Sequence, residues 1–231
     1  MGLNVLLDGI KDETVFLSVA NRPIVPTAKR KIIKIPVPGR DGDLIKFEGY
    51  EDVSLPIDFN ILEDRNIKED IRKIKAWLMN KSVLSFSDDP NYFRKIKNID
   101  IGSIDNEVEF YGAFTVDFLL GPFEHQKTTA KTYTTSPVTL TNPGTYFSQP
   151  LIKIKGTGTI VLTVNNVGIT LKNLTDEIIL DSELEEAYKG LTANMNDSMI
   201  GDFPLFVPGK NSISWTGAVT KIEIDERWRY L

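Results

Sequence analysis

Apolar side chains recur at every second position through much of this chain. Val53, Leu55, Ile57, Phe59 and Ile61 alternate with polar neighbours, and so do Phe110, Gly112, Phe114, Val116 and Phe118. A period of two puts one set of side chains on a single face, so both runs predict half-buried strands. Pro56 lacks an N–H for a ladder and argues for an edge position or a bulge. β-branched, partly alternating runs at 14–19 and 31–37 predict two more strands. Pro38-Gly-Arg-Asp-Gly-Asp43 separates the second of these from Leu44–Tyr50. Strands resume at Val83–Phe86, 92–100 and 108–120, the last ended by Gly121-Pro122.

One segment changes period. Ile67, Ile71, Ile74 and Leu78, with Trp77 beside the last, form a stripe at helical spacing, while Lys68, Arg72, Lys73 and Lys75 line the other side. Asn66 and Glu69 make a capping box at its start, and Asn80 supplies a stop. The stripe reads as core packing.

Residues 126–149 are rich in Thr, Ser and Pro and predict a linker with one short strand near Val138 to Leu140. Alternation then returns. Ile152 and Ile154 precede a turn at Gly156-Thr-Gly158, followed by Ile160, Leu162 and Val164; Asn165-Asn166 signals a hairpin into Ile169 and Leu171. Residues Glu177–Asp181 predict a further strand. Phe203, Leu205 and Val207 predict a half-buried strand ended by Pro208-Gly209. Ile213 and Trp215 then alternate up to a break at Thr216-Gly217, after which Ile222, Ile224, Glu226, Trp228 and Tyr230 resume, a last strand expected to be tied into a sheet. The organisation expected is a β-rich α+β domain at 1–125, the linker at 126–149, and an all-β domain at 150–231.

The 231 residues are 41 % hydrophobic and 26 % charged, the balance of a globular protein. With no cysteine there is no disulfide, thiolate nucleophile or cysteine-type zinc site. Met1 to Gly9 has no basic leader, and no 18-residue apolar run occurs, so neither a signal peptide nor a membrane span is expected. The net charge of −5 is spread over both halves: residues 1–125 carry 17 basic and 21 acidic side chains, and 126–231 carry 10 and 11. Nucleic-acid binding needs clustered cations. The densest run, Lys29-Arg30-Lys31 with Lys34, lies beside alternating Ile33, Ile35 and Val37 and reads as the solvated face of a strand.

Candidate chemistry is thin. His125 is the single histidine, no Gly-x-Ser-x-Gly elbow accompanies it, and it reads as a junction residue. Asp41 with Asp43, Asp88 with Asp89, and Glu185 with Glu186 are carboxylate pairs adjacent in sequence, which does not supply the cleft-spanning separation a glycosidase needs. Arg40-Asp-Gly-Asp43 lacks the rest of a calcium loop, and Gly156-Thr-Gly158 lacks the rest of a phosphate loop. Trp215 and Trp228 are the one candidate ligand platform, for stacking a sugar, weighed against core packing. No catalytic, cofactor-binding or metal-ligating residue is assigned.

The ordered features resemble the distal tail protein family of long-tailed, non-contractile bacteriophages, the siphovirus tail component family. The resemblance rests on Gly39-Arg-Asp-Gly42, the helix from Ile67 to Leu78, Phe118-Leu-Leu-Gly-Pro-Phe-Glu124, Pro150-Leu-Ile-Lys-Ile-Lys-Gly-Thr-Gly158, Leu180-Asp-Ser182, Tyr188, Met195-Asn196, Met199, Gly201-Asp-Phe-Pro204, Pro208-Gly-Lys-Asn211 and Arg227-Trp-Arg229. It implies a ring-forming N-terminal domain followed by a galectin-like β-sandwich, in the short form without a carbohydrate-binding insertion. It also implies a virion component with no enzymatic activity and no cofactor, made in the bacterial cytoplasm and placed at the distal end of the tail. The partners implied are itself, as a hexameric ring using exposed strand edges of the first domain, the tail tube protein, the tail-associated hub or tip protein, receptor-binding proteins and the tape measure protein. Genome DNA would pass through without specific binding, a passage suited to a ring of about −30, six times −5. The alternative is a carbohydrate-binding module for the host wall. The second domain has no His, and its only Arg residues are Arg227 and Arg229, a departure from the galectin sugar site.

Overall fold

The computed structural model describes residues 2–62, 67–104, 111–191 and 193–231. It is mostly β, with one α-helix among the described residues, and its two compact units are Met1–His125 and Gln126–Tyr230.

In the first unit the strands are β1 (Val5–Leu7), β2 (Ile10–Lys11), β3 (Leu17–Val19), β4 (Arg30–Ile35), β5 (Leu44–Tyr50), β6 (Val53–Leu62), β7 (Val83–Phe86), β8 (Asp89–Ile101) and β9 (Tyr111–Gln126), with helix α1 (Ile67–Leu78) between β6 and β7. Seven of them form a curled sheet in the order β2-β1-β7-β8-β9-β6-β3. The antiparallel β6–β9 ladder sets Leu55 opposite Phe118, Ile57 opposite Val116 and Phe59 opposite Phe114, so the two alternating runs share one buried face. Ile74, Trp77 and Leu78 of α1 close over that face. Phe59 stacks on Phe114 with centroids 5.8 Å apart and meets Trp77 edge-on at 6.5 Å.

Pro56 sits where the sequence argument put it. β3 pairs only with Phe59 to Ile61, so at Pro56 the strand is bonded on the β9 side alone. Asn80 ends the helix region with φ +56, while the cap residue Asn66 and residues 108–110 of the last predicted strand lie outside the described residues. The expected stop at Gly121-Pro122 does not occur. β9 runs on to Gln126, and the Pro122 carbonyl accepts a hydrogen bond from the Arg94 guanidinium at 3.3 Å. The strand expected at 14–19 is shortened to β3 because Asp12–Val15 is a 3-10 turn closed by Phe16 at φ +63.

In the second unit the strands are β10 (Lys131–Tyr133), β11 (Val138–Asn142), β12 (Leu151–Val164), β13 (Val167–Leu174), β14 (Glu177–Asp181), β15 (Glu186–Lys189), β16 (Ala193–Asn194), β17 (Met199–Ile200), β18 (Gly209–Asp225) and β19 (Arg229–Tyr230). Residues 126–149, expected as a linker with one short strand near Val138 to Leu140, supply that strand as β11 and also β10, both paired with β18. The threonines that gave this stretch a linker composition are also good strand formers.

Two long strands make the sandwich-like arrangement. The first half of β12 and the last half of β18 lie between β10 and β14-β15-β16, while their other halves lie between β11 and β13-β17. Each strand therefore belongs to both layers and bends where it changes layer. The β12–β18 register shifts at Lys155/Gly156 and Thr157/Val161, which is the bend. The expected turn at Gly156-Thr-Gly158 and break at Thr216-Gly217 are thus corners within continuous strands. At two of these glycines no Cβ fits: at Gly156 it would lie 2.4 Å from the Ala218 oxygen, and at Gly217, whose φ is +98, 2.5 Å from the Thr159 oxygen. Ile152, Ile154, Ile178, Leu180, Ile222 and Ile224 face Ile160, Leu162, Ile169, Leu171 and Ile213 across the core.

The segment from Phe203 to Val207 is a correction. Leu205 and Val207 are exposed, and the residue out of phase, Phe206, is fully buried against Trp228. Phe206 exchanges two backbone hydrogen bonds with Ser148 (2.9 and 3.1 Å) rather than joining a ladder, and this isolated bridge turns its ring inward.

Candidate interaction surface

The strands β4 and β5 form a two-stranded sheet of their own. Their register pairs Ile32 with Phe47, Ile33 with Lys46, Lys34 with Ile45 and Ile35 with Leu44. Alternation puts Ile32, Ile45 and Phe47 on one face, and Ile33, Ile35 and Leu44 on the other. Both faces are exposed: Ile45 keeps 64 % of its surface in water, and Val37, the least exposed apolar residue of this arm, keeps 36 %. At the base the Glu51 N–H donates to the Lys29 carbonyl (2.9 Å), and Tyr50 packs its ring between Phe47 and Phe123 at 5.3 and 5.8 Å. Beyond that base the hairpin runs free to a tip at Pro36–Asp43 in which Gly39 and Gly42 take positive φ.

A two-stranded hairpin is marginal in water by itself, and one with two apolar faces gains stability only when covered on both. The basic run Lys29-Arg30-Lys31 with Lys34 is solvated as expected, and Ile33, Ile35 and Val37 beside it are solvated too. The signal was in the sequence. Ile32-Ile33 and Leu44-Ile45 are adjacent apolar pairs, which a strand with one buried face does not need.

A groove of about 300 Å³ lies in the same unit, its walls including Ile24, Val25, Leu55, Phe86, Tyr92 and Phe93. The extended segment Pro23-Ile-Val-Pro26 forms one side, with Ile24 and Val25 exposed at 68 and 88 %. Two residues have no period, so alternation does not mark this segment, although an apolar pair held between prolines marks an extended, unladdered stretch. The rim is charged. Arg22 pairs with Asp88 at 2.7 Å; Arg94 has its pKa lowered by burial, opposed by Glu124; and Asp89 has no ion pair among the described residues.

The carboxylate pairs do not converge on a cleft. Asp41 and Asp43 lie at the exposed hairpin tip, Asp88 is held by Arg22, and Glu185, with φ +53, ends the exposed β14–β15 turn beside Glu186, the exposed first residue of β15. His125 stacks on Phe93 (5.3 Å). Among the described residues no group of three or more His, Cys, Asp or Glu side chains is placed to hold a metal ion. Trp228 is buried against Phe206 and Trp215 packs on the same core, so the two indoles do not form an open platform.

Charge in the second unit is spent on its own closure. The Arg227 guanidinium donates to both Asp181 oxygens (2.7 and 3.1 Å), and Asp181 Oδ1 also accepts from the Glu183 and Leu184 N–H groups. Burial pushes the Asp181 carboxyl up, but Arg227 and the two backbone donors outweigh it and hold it below the usual carboxylate range. Arg229 lies over the Phe147 ring at 4.6 Å and donates to the Phe147 carbonyl and to Gln149. These are latches, not reactive groups.

No family model matches the chain, and no curated protein sequence matches it. Solved structures do. The chain is similar to the SPP1 Dit (gp 19.1) protein, described as a paradigm of the hub adsorption apparatus in phages infecting Gram-positive hosts. The TM-score is 0.75 at 15 % identity, over 100 % of both chains. It is also similar to a chain of the phage P2 baseplate in its activated, calcium-bound conformation, with a TM-score of 0.52 at 8 % identity over 97 % of each. From end to end, curled sheet, helix and sandwich-like layers included, this chain has the fold of the SPP1 Dit protein.

Proposed function

We propose that this chain is a distal tail protein of a bacteriophage or prophage, a structural connector without catalytic activity. Six copies close into a ring through the first unit. The ring joins the tail tube to the hub or tip protein and, through it, to receptor-binding proteins, with the tape measure protein and the genome passing along its axis. It works at the distal end of the virion tail after synthesis in the host cytoplasm. The single observation that carries this reading is the likeness to the SPP1 hub protein over the full length of both chains.

The exposed arm agrees with a ring. Seven apolar side chains, Ile32, Ile33, Ile35, Val37, Leu44, Ile45 and Phe47, stand in water. At about 1.5–3 kcal/mol for full burial and roughly half still to be gained, covering them contributes about 5–10 kcal/mol per copy. That is comparable with the roughly 4–15 kcal/mol that association costs. One such contact is weak, and a closed ring of them holds because each supports the rest. The carbohydrate-binding alternative finds its aromatic platform dismantled, with Trp228 in the core.

Light scattering and negative-stain microscopy on the purified chain, alone and mixed with a tail hub protein, test the reading. Six-fold rings are expected in at least the mixture. A chain that stays monomeric at high concentration and in the mixture overturns it.

A further inference from the structure

We propose that β10 is a displaceable strap, and that the edge of β18 beneath it is a strand-addition site for an extended partner segment carrying a Lys or Arg two residues before an aromatic. Every residue involved lies in the second unit, so this site does not depend on the ring.

β10 is the edge strand of the order β10-β18-β12-β14-β15-β16, and it pairs with β18 alone. Directly opposite residues of a ladder share a face. Lys131 opposite Ile224 and Tyr133 opposite Ile222 therefore stand on the core side, and Thr132 opposite Glu223 stands on the outer side. Ile222 and Ile224 are fully buried, and Glu226, next in the same phase, is fully buried with them. A carboxylate in that place needs a cation. Lys131 supplies it from the diagonal position, Nζ to Glu226 Oε1 at 2.8 Å, while most of its own side chain stays in water. Glu226 Oε2 is buried and has no hydrogen-bond partner among the described residues, so this lysine is the one cation the structure gives it.

The strap is held lightly. Two of its three residues are exposed. A few hydrogen bonds fix its approach and exit: the Gln126 N–H donates to the Trp228 carbonyl (2.9 Å), the Thr128 hydroxyl to the Asp225 carboxylate, and the Trp215 N–H to Ser136 Oγ (3.0 Å). Lifting 131–133 opens a loop and leaves β11 on β18, a local opening that costs far less than global unfolding. Once open, β18 shows an unpaired edge beside Ile222 and Ile224, with the Glu226 carboxylate stripped of its cation. An unpaired edge accepts any strand. The carboxylate does not, because a buried charge without its counter-ion is strongly unfavourable. A cation opposite Ile224 and an aromatic opposite Ile222 fit, as Lys131 and Tyr133 do. The tethered strap competes at high effective concentration, which guards the edge against chance partners.

A labelled synthetic peptide of residues 127–137 is the probe, read by fluorescence anisotropy on the full chain. The double variant Lys131→Ala with Tyr133→Ser, its strap weakened, is expected to bind the peptide at least about tenfold more tightly than the wild type. Adding Glu226→Gln to that variant, or placing Lys131→Glu in the peptide, is expected to weaken binding at least about tenfold. A double variant with unchanged circular dichroism that takes up no peptide, or that takes up both peptides equally, refutes the site. Native-state hydrogen exchange on the wild type decides even where the variant fails to fold. The slowest amide of 131–133 is expected to exchange at least about 100-fold faster than the slowest of 152–154 in β12, and equal protection refutes the strap.

Discussion

The corner where β12 and β18 pass from one layer to the other allows three kinds of glycine to be compared within one unit. At Gly209 φ is +87 and a Cβ would meet nothing within 4 Å, so Gly209→Ala tests backbone strain alone, worth about 1–2 kcal/mol. At Gly156 the strain is steric: an added Cβ would lie 2.4 Å from the Ala218 oxygen and 2.7 Å from Ile160 Cδ1, and overpacking of this kind costs about 1–3 kcal/mol. Gly217 combines both. Its φ is +98, and a Cβ would lie 2.5 Å from the Thr159 oxygen and 3.2 Å from Ile160 Cα, both backbone atoms with nowhere to yield. Gly217→Ala is therefore expected to cost about 3–5 kcal/mol, the upper range for a single substitution. Urea unfolding in a Trp77→Phe background isolates the unit, because the remaining indoles, Trp215 and Trp228, both lie in it. The midpoint should fall in the order Gly209→Ala, Gly156→Ala, Gly217→Ala at constant slope. A Gly217→Ala variant within about 1 kcal/mol of Gly209→Ala would falsify the account of the corner as a close backbone crossing.

Two further outcomes are expected. Asn211 is fully buried and makes four hydrogen bonds of 2.7–2.9 Å, to the Val207 N–H and carbonyl, the Gly209 carbonyl and the Asn165 side chain. Asn211→Ala strands those partners and should cost about 2–4 kcal/mol by chemical denaturation; a loss under about 0.5 kcal/mol refutes the latch. Because the Asp181 carboxyl sits below its unfolded value, its contribution to stability is present above about pH 4 and lost as pH falls through the folded value. Arg227→Met should then lower stability at pH 7 by about 1–3 kcal/mol, and the gap from wild type should narrow as pH falls below about 4; a gap that does not narrow contradicts the pairing.

The sequence by itself determined which faces are buried in regular elements. Val53 to Ile61 and Phe114 to Phe118 are buried in the phase their alternation requires, and α1 presents Ile74, Trp77 and Leu78 to them, because a period of two or 3.6 is a purely local property. Only the tertiary structure decided whether an apolar residue finds a partner. Phe206 is buried out of phase because Ser148, distant in sequence, bonds its backbone. Gly156 and Gly217 continue their strands because two chains must cross closely there, and Ile33 and Ile35 stay in water because nothing in their own unit covers the arm. Alternation records that a side chain avoids water, not what it will meet; that depends on contacts between distant segments.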